Sequence, residues 1–179
     1  MRSFRLDRRY ALIIIPFNAV VHCITTDEQV ACLTRCREHL TPGGLLAFDT
    51  FFPDLAIIGA KDTTRVLEGE TTHPETGLPV RVYDTRTFDR VEQTMHSVTD
   101  IEFLDGKGNV AVRHPPQTTM IRWIYKGEID LLLRAAGFDR WEIAGGYDGR
   151  PLVKETDAMI VKAWTNPGPW GSARTPSGV

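Results

Sequence analysis

The sequence has none of the features that are typical of a membrane-spanning, nucleic-acid-binding or metal-binding protein. No apolar run in its 179 residues approaches the roughly 20 residues that a transmembrane helix needs. The net charge of -2 includes no basic excess that would favour nucleic acid or a membrane surface as a partner. His73, His96 and His114 are scattered without metal-ligand spacing. These absences indicate a globular protein with no metal centre, no nucleic acid and no membrane among its partners.

The few cysteines and the form of the N-terminal region indicate the compartment. Cys23, Cys32 and Cys36 are odd in number and lack Cys-x-x-Cys spacing, which favours buried, reduced thiols over disulfides. The apolar stretch at residues 11–21 is interrupted by Pro16 and has no small-residue cleavage site, so it is not typical of a signal peptide. Both observations predict a cytoplasmic protein.

What is present is a strand, a helix and a second strand joined by short connections. Residues 11–15 are a continuous apolar run, which predicts a strand buried on both faces of a parallel sheet. Thr26 is the expected N-cap of the following helix, with Gln29 as its capping-box partner, and residues 41–44 (Thr-Pro-Gly-Gly) are expected to end it. Leu45–Asp49 is the second buried strand. Together these segments predict a right-handed crossover unit of an α/β sheet.

The rest of the chain predicts additions to this unit. The expected elements are a short helix over Pro53–Ala60, a surface loop over Lys61–Pro79, strands over Val80–Phe88, Thr94–Leu104, Val110–Arg113 and Gln117–Tyr125, a helix over Glu128–Ala136, and strands over Trp141–Tyr147 and Asp157–Trp164. Consecutive antiparallel strands do not fit β-α-β alternation, so residues 61–125 are predicted to be an inserted antiparallel β subdomain. Residues 166–179 are rich in glycine, proline and serine and predict a flexible tail.

Three segments carry a resemblance to a known family. They are Ile14-Ile-Pro-Phe-Asn-Ala-Val-Val-His22, His39-Leu-Thr-Pro-Gly-Gly-Leu-Leu-Ala-Phe-Asp49 and Ala136-Gly-Phe138. They resemble the class I S-adenosylmethionine-dependent methyltransferases, over residues 1–165. The match is to the second half of the catalytic domain, and the first half, which carries the Gly-rich cofactor loop, has no counterpart. The resemblance implies a partial Rossmann-like sheet and methyl transfer to an unknown small-molecule acceptor, by a truncated form of a longer enzyme.

The resemblance implies S-adenosylmethionine as the cofactor and places it at two segments. Met1 resembles the methionine of an Asp-Met pair beside the adenine, whose acid would precede the chain, so we expect Met1 to be an internal methionine of a longer reading frame. Pro16, Phe17 and Asn18 follow the first strand at its carboxyl end, where open α/β sheets bind ligands. Asn18 is expected at the methionine part of the cofactor or at the acceptor, and a turn cap is its alternative.

Four residues are candidates for the acceptor side, and one for the base. Asp49 ends the second strand, where a carboxylate would face the sulfonium or orient an acceptor amine. The resemblance implies that the inserted subdomain is a lid over the acceptor pocket and that Trp141–Tyr147 and Asp157–Trp164 are a closing antiparallel pair. Arg122, Tyr125 and Tyr147 lie on these strands and would face the pocket, and exposed strand residues are their alternative. His22 is the candidate catalytic base because imidazole titrates near neutral pH, and a packed helix residue is its alternative.

A second interpretation comes from a different functional class. Without the first half of the sheet, the strand at residues 11–15 would leave an apolar edge exposed, and such edges pair with other chains. The chain would then be a non-catalytic methyltransferase-like remnant that acts through self-association or a protein partner. On either interpretation a homodimer through the exposed sheet edge is expected.

Overall fold

The computed structural model describes residues 1–166, which form two compact units. Unit 1 contains Met1–Asp54 and the chain from Trp123 onward, and unit 2 contains Leu55–Arg122. The tail predicted at residues 166–179 lies outside the described residues except for Asn166. Within the described part, no helix is long and apolar enough to cross a membrane.

The helices and strands alternate in unit 1 and are almost all strands in unit 2. In chain order they are β1 (Tyr10–Ile15), a 3₁₀ turn (Ala19–His22), α1 (Thr26–Glu38), β2 (Leu40–Phe51), α2 (Leu55–Ile58), β3 (Arg65–Thr72), β4 (Pro79–Asp89), β5 (Thr94–Leu104), β6 (Val110–Arg113), β7 (Gln117–Arg122), α3 (Lys126–Ala135), β8 (Arg140–Ala144) and β9 (Ala158–Trp164). Apart from the 3₁₀ turn and β3, each was predicted, with ends that differ by a few residues.

Unit 1 is built on a four-stranded sheet in the order β1-β2-β9-β8. β1 and β2 are parallel, whereas β9 runs antiparallel to both β2 and β8. α1 connects β1 to β2 and contacts β2 and α3. The fully buried core side chains include Leu33, Leu46, Leu133, Met159 and Val161. The α/β crossover and the closing antiparallel pair that the sequence predicts are therefore confirmed.

The prediction that β1 is buried on both faces is wrong. Ile15 is 5% exposed, but Leu12 and Ile14, on the opposite face, are 48% and 60% exposed. β1 is an edge strand of the described sheet, and Ile15 lies beside the buried Phe48 of β2. The apolar run therefore marks a strand with one covered and one open face.

The N-cap of α1 is Thr25 and not Thr26. The Thr25 hydroxyl accepts the backbone N–H of Glu28 at 3.2 Å, and the Glu28 carboxylate accepts the N–H of the residue before the cap at 2.9 Å. Gln29, the predicted partner of Thr26, is 0% exposed. Because its side chain lies in the core, it is not available at the surface of the first turn.

The junction between α1 and β2 also differs from the prediction. The helix ends at Glu38, and the strand begins at Leu40 rather than Leu45, so residues 41–44 lie within the strand. Gly43 has a φ of 74°, a left-handed value that glycine adopts without strain, and its N–H donates to the Asn166 carbonyl at 3.2 Å. The glycines therefore shape the start of β2 and do not end the helix.

Unit 2 is a five-stranded antiparallel sheet in the order β3-β4-β5-β6, with β7 also pairing with β5. The prediction of a surface loop over Lys61–Pro79 is wrong, because β3 lies within it. Every residue of β3 is exposed, and the ion pairs Glu70–Arg81 at 2.7 Å and Glu68–Arg86 at 2.8 Å join it to β4. An edge strand of this kind has no apolar periodicity to reveal it.

Candidate functional site

The turn that follows β1 has an unusual backbone. Phe17 and Asn18 both have left-handed φ values, 59° and 55°. This region is tolerated by asparagine and is unfavourable for a bulky residue such as phenylalanine. The Phe17 side chain is 89% exposed, so packing of its ring does not hold the turn. The strain must be offset by contacts of the neighbouring backbone.

Asp49 supplies such a contact from the end of β2. Its Oδ2 accepts the backbone N–H of Asn18 at 3.1 Å, and the residue is 9% exposed. The parallel register pairs Ile15 with Phe48, so the last residue of β1 lies directly beside the residue before Asp49. A hydrogen bond to a charged acceptor in a mostly buried position is among the stronger ones in proteins.

Tyr147 reaches the same carboxylate from the loop after β8. Its hydroxyl lies close enough to Asp49 to feel the charge of that carboxylate, although the residue as a whole is 79% exposed. Partial burial of the hydroxyl, together with the interaction with Asp49, raises the pKa of Tyr147 above its usual value. The phenol therefore stays protonated beside Asp49. Three residues singled out in the sequence, Asn18, Asp49 and Tyr147, thus meet at one place.

A cavity of about 410 Å³ lies beside this cluster, entirely within unit 1. Its lining includes the carboxylates of Asp49, Asp54, Glu155 and Asp157 and the rings of Phe51 and Phe52. Asp157 also accepts Nη2 of Arg150 at 2.7 Å, so its charge is partly compensated. Aromatic walls with several carboxylates suit a ligand that is partly apolar and positively charged.

Sequence reasoning missed Glu155 and Asp157. They precede β9, and β9 runs antiparallel to β2, so the start of β9 lies beside the carboxyl end of β2. The register pairs Ala158 with Phe51. The topology of the sheet could have revealed these two residues. Because β9 is antiparallel to β2, the residues just before β9 lie beside the carboxyl end of β2.

Three other predicted site residues lie on the 3₁₀ turn, at the start of α3 and on β7. His22 is the exposed last residue of the 3₁₀ turn. The backbone N–H of Tyr125 donates to the Glu128 carboxylate at 2.8 Å at the start of α3. Arg122 belongs to unit 2, where its Nη2 donates to Gln93 at 3.2 Å.

Met1 is 51% exposed and precedes Arg2, which forms an ion pair with Glu28 in the first turn of α1. Pro16 opens the turn that carries Phe17 and Asn18. Of the two segments predicted to contact the cofactor, Met1 therefore lies near the first turn of α1, and residues 16–18 lie at the carboxyl end of β1.

The three cysteines are buried free thiols. A hydrogen bond with Cys32, together with burial, raises the pKa of Cys23 far above its usual value. For Cys32 the contact with Cys23 lowers the pKa, but hydrogen bonding with Cys36 and burial outweigh it and raise the pKa to about 11. Both groups are therefore protonated thiols at neutral pH and poor nucleophiles. Across residues 1–166, no group of histidine, cysteine and acidic side chains is arranged to hold a metal ion.

Known proteins resemble the chain in sequence. No profile of a protein family matches it. The dTDP-3-amino-3,4,6-trideoxy-alpha-D-glucopyranose N,N-dimethyltransferase of Streptomyces venezuelae is 26% identical over 159 residues, which are 85% of this chain and 60% of that protein. The cypemycin N-terminal methyltransferase of a Streptomyces species is 26% identical over 160 residues, 89% of this chain and 60% of that protein.

Solved structures share the fold. An S-adenosylmethionine-dependent methyltransferase from Clostridium acetobutylicum superposes with a TM-score of 0.72 at 15% identity, covering 92% of this chain and 62% of that one. CalS10 from Micromonospora echinaspora, an amino pentose methyltransferase with S-adenosylmethionine bound, gives a TM-score of 0.62 at 22% identity, with 92% and 62% covered.

The resemblance to S-adenosylmethionine-dependent methyltransferases that the motifs predict is confirmed, in sequence by these relatives and in fold by these structures. The chain matches the C-terminal part of the family members and spans about 60% of the length of the curated relatives. The partial Rossmann-like sheet with an antiparallel β sheet, which the resemblance implies, is confirmed.

The residues present fit one end of the methyltransferase cofactor. The cavity beside Asn18 and Asp49, of about 410 Å³, lies within the 300–1,000 Å³ or so that small-molecule sites occupy. The turn at Phe17 and Asn18 offers an exposed ring and a polar side chain at the carboxyl end of β1. β1 is, however, an edge strand of the described sheet, and the N-terminal cofactor-binding half of the relatives has no counterpart in this chain. The residues that could contact the cofactor are therefore those at the carboxyl end of β1.

Proposed function

We propose that this chain forms the acceptor side of an enzyme that transfers a methyl group from S-adenosylmethionine to the nitrogen of a small-molecule amine. The observation that carries the proposal is the meeting of Asn18, Asp49 and Tyr147 beside a cavity lined by carboxylates. The curated relatives are named as an N,N-dimethyltransferase of an amino sugar and as an N-terminal methyltransferase. Both names are in line with an amino acceptor.

S-adenosylmethionine supplies a methyl group on a positively charged sulfur, so the reaction needs alignment more than activation. The acceptor nitrogen forms the new C–N bond as the C–S bond breaks, the electron pair of that bond goes to sulfur, and one nitrogen proton leaves to a base. Asp49 accepts an N–H of the neutral amine, orients its lone pair toward the methyl carbon and stabilises the positive charge that develops on nitrogen as the C–N bond forms. Tyr147 holds the Asp49 carboxylate in place as a hydrogen-bond donor.

The remaining predicted roles belong to the same proposal. Pro16, Phe17 and Asn18 contact the cofactor at its sulfonium end, and Met1 lies toward its adenine. His22 takes the proton released by the acceptor. Its exposure at the end of the 3₁₀ turn lets it pass that proton to water.

Residues 61–125, the inserted segment that carries Arg122 and Tyr125, contribute to the choice of acceptor. Replacing residues 55–122 with a short linker tests whether this segment is separable. We expect unit 1 to keep cooperative unfolding, and loss of all cooperativity would show that the segment belongs to the core. Because the three cysteines are free thiols, we place the reaction in the cytoplasm.

Methyl transfer from labelled cofactor tests the reaction, with the chain extended by an upstream segment that supplies a strand and a Gly-rich turn. Two acceptors that differ only in carrying an amine or a hydroxyl group should be compared. We expect methyl transfer to the amine and none to the hydroxyl compound. Asp49→Asn should lower transfer by about 10²-fold, a loss of the size seen when one oriented charged contact is removed. Glu38→Gln, an exposed acid at the end of α1, is the control. Equal transfer to both acceptors, unchanged by Asp49→Asn, would refute the amine assignment.

A second candidate function is supported by the exposure of β1. Leu12 and Ile14 are 48% and 60% exposed on an edge strand, and exposed apolar edges pair with other strands. A non-catalytic chain that forms a homodimer through this edge, or pairs with a protein partner there, would use the same surface.

Sedimentation velocity separates the two candidates. We expect the chain to associate at micromolar concentration and Ile14→Lys to weaken that association. Leu131→Lys is a matched control, since Leu131 is 62% exposed on α3, away from the β1 edge. A chain that stays monomeric at every concentration would rule out the homodimer. Saturable binding of S-adenosylmethionine by the chain would favour the enzyme.

A further inference from the structure

A single buried carboxylate organises the loop of residues 145–157, which connects β8 to β9. Asp157 is 5% exposed. Its Oδ2 accepts the backbone N–H groups of Lys154 at 2.9 Å and Val153 at 3.1 Å, and its Oδ1 accepts Nη2 of Arg150 at 2.7 Å. The two backbone hydrogen bonds, followed by the Arg150 charge, hold the pKa of Asp157 below its usual value. Three points of the loop are thus joined to the residue that precedes β9.

The backbone at Gly145 packs directly against the backbone at residues 150–151 of the same loop. The Gly145 N–H donates to the Arg150 carbonyl at 2.7 Å. A Cβ atom on Gly145 would lie 2.5 Å from the Pro151 carbonyl oxygen and 3.0 Å from Oδ2 of Asp157. Only glycine allows this approach. Because the chain reverses between Gly145 and Arg150, Tyr147 lies in the turn at the tip of the loop.

We propose that Asp157 is the positioning residue that holds the 145–157 loop so that the Tyr147 hydroxyl stays on the Asp49 carboxylate. Asp157 lies next to β9, and β9 pairs with β2 in a register that places Ile160 opposite Asp49. The loop is therefore anchored next to β9, and β9 pairs with β2, the strand that carries Asp49. The inference rests on the proposed function only for what Asp49 does to an acceptor, because the loop contacts involve neither cofactor nor substrate.

A titration of the tyrosines by nuclear magnetic resonance tests the proposal. The full chain, labelled at the tyrosine Cζ carbon, contains four such groups, and Tyr147→Phe identifies the relevant signal. We expect Tyr147 to titrate above the usual value of about 10 in the parent chain. In Asp49→Asn it should return toward about 10, because the charge and the acceptor strength of Asp49 are lost.

The decisive variant is Asp157→Asn, which leaves Asp49 intact. If Asp157 positions the loop, the Tyr147 titration should also move toward about 10, and the Val153 and Lys154 amides should exchange faster. Glu155→Gln removes a carboxylate from the same loop without touching these contacts, and it should leave both readouts unchanged. A Tyr147 titration that stays raised in Asp157→Asn would overturn the proposal, as would an equal fall in Glu155→Gln.

Arg150→Gln keeps the test decisive if Asp157→Asn does not fold. It removes one of the three contacts of Asp157, so a smaller shift of Tyr147 in the same direction is expected, and no shift would overturn the proposal. No cofactor or acceptor is present in these measurements. Failure of the chain to transfer methyl groups would therefore refute the proposed function, but it would not affect the conclusion that Asp157 positions the loop.

Discussion

The two faces of the sheet in unit 1 are completed to different degrees. On the face that includes Ile15, the side chains of Leu46, Met159 and Val161 are 0% exposed. On the other face, Leu12 and Ile14 of the edge strand β1 are 48% and 60% exposed, whereas Ile160 of β9 is 7% exposed. The covered face contributes most to the stability of the fold, because buried apolar area is the main source of stability. The exposed side chains of β1 contribute little to folding and leave the open face of this edge strand free to pack against other chains.

The largest expected effect concerns the cofactor. Under the proposed function, the contacts that this chain makes lie at one end of the cofactor, and those contacts must also offset the freedom lost on binding. We expect calorimetry to give a dissociation constant for S-adenosylmethionine weaker than about 1 mM. Adding an upstream segment with a strand and a Gly-rich turn, which completes the open edge, should tighten binding by orders of magnitude.

In the extended chain, Asn18→Ala should then weaken cofactor binding, whereas Asn109→Ala, in the turn between β5 and β6, should not. Submillimolar binding by the short chain, with turnover equal to that of the extended one, would contradict the view that the open edge is an incomplete site.

The second effect is the loss of unfolding free energy when leucine is replaced by alanine on each face of the sheet. Leu46→Ala removes a fully buried side chain from the covered face and should lower the unfolding free energy by about 2–5 kcal/mol. Leu12→Ala, on the open face, should lower it by about 1 kcal/mol or less. Urea unfolding measures both. If the two losses are equal, Leu12 is buried in solution, and an association through the open face is the first explanation to examine.

The sequence predicted the parts of the fold that show in local patterns. β2 and α3 have apolar residues at the right spacing, whereas β3 is exposed throughout and held by ion pairs, so its pattern resembles a loop. The cap of α1 was displaced by one residue because burial of Gln29, a tertiary effect, decides which residues face solvent.

The candidate site shows the same division. Asn18 and Asp49 follow predicted strands, and the rule that ligands bind at the carboxyl ends of strands singled them out. Asp157 was missed because its place depends on the pairing of β9 with β2, residues far apart in the chain. That Phe17 adopts a left-handed φ is equally invisible in its sequence, since it depends on the neighbouring Asp49 contact.

A smaller effect concerns pH and the loop over the carboxyl end of β2. The pKa of Asp157 is lowered in the folded state, so its stabilising contribution is present above the unfolded value of about 3.9 and is lost as pH falls through the folded pKa. We expect the difference in unfolding free energy between the parent chain and Asp157→Asn to shrink as pH is lowered from 7 to 3.

Asp105 offers a comparison in unit 2, where backbone N–H groups of Asn109 and Lys107 also lower the pKa of an acid. Asp105→Asn should change stability in the same pH window. It should leave the exchange of the Val153 amide untouched. A constant difference between the parent chain and Asp157→Asn across that window would contradict the lowered pKa.

The smallest effect concerns the N-terminal segment where it meets the end of α1. His39 is 7% exposed, and its Nε2 accepts the Leu6 N–H at 3.0 Å while its Nδ1 lies 2.7 Å from the Arg35 carbonyl. The contact with the Arg35 carbonyl suits a proton on Nδ1, and the contact with the Leu6 N–H suits a lone pair on Nε2. His39→Ala removes this contact and should speed exchange of the Leu6 amide by about 5-fold, since one hydrogen bond contributes about 1 kcal/mol. His96→Ala, in unit 2, is the control. An unchanged Leu6 amide in His39→Ala would mean that the segment is held elsewhere, with the Arg2 ion pair as the next contact to remove.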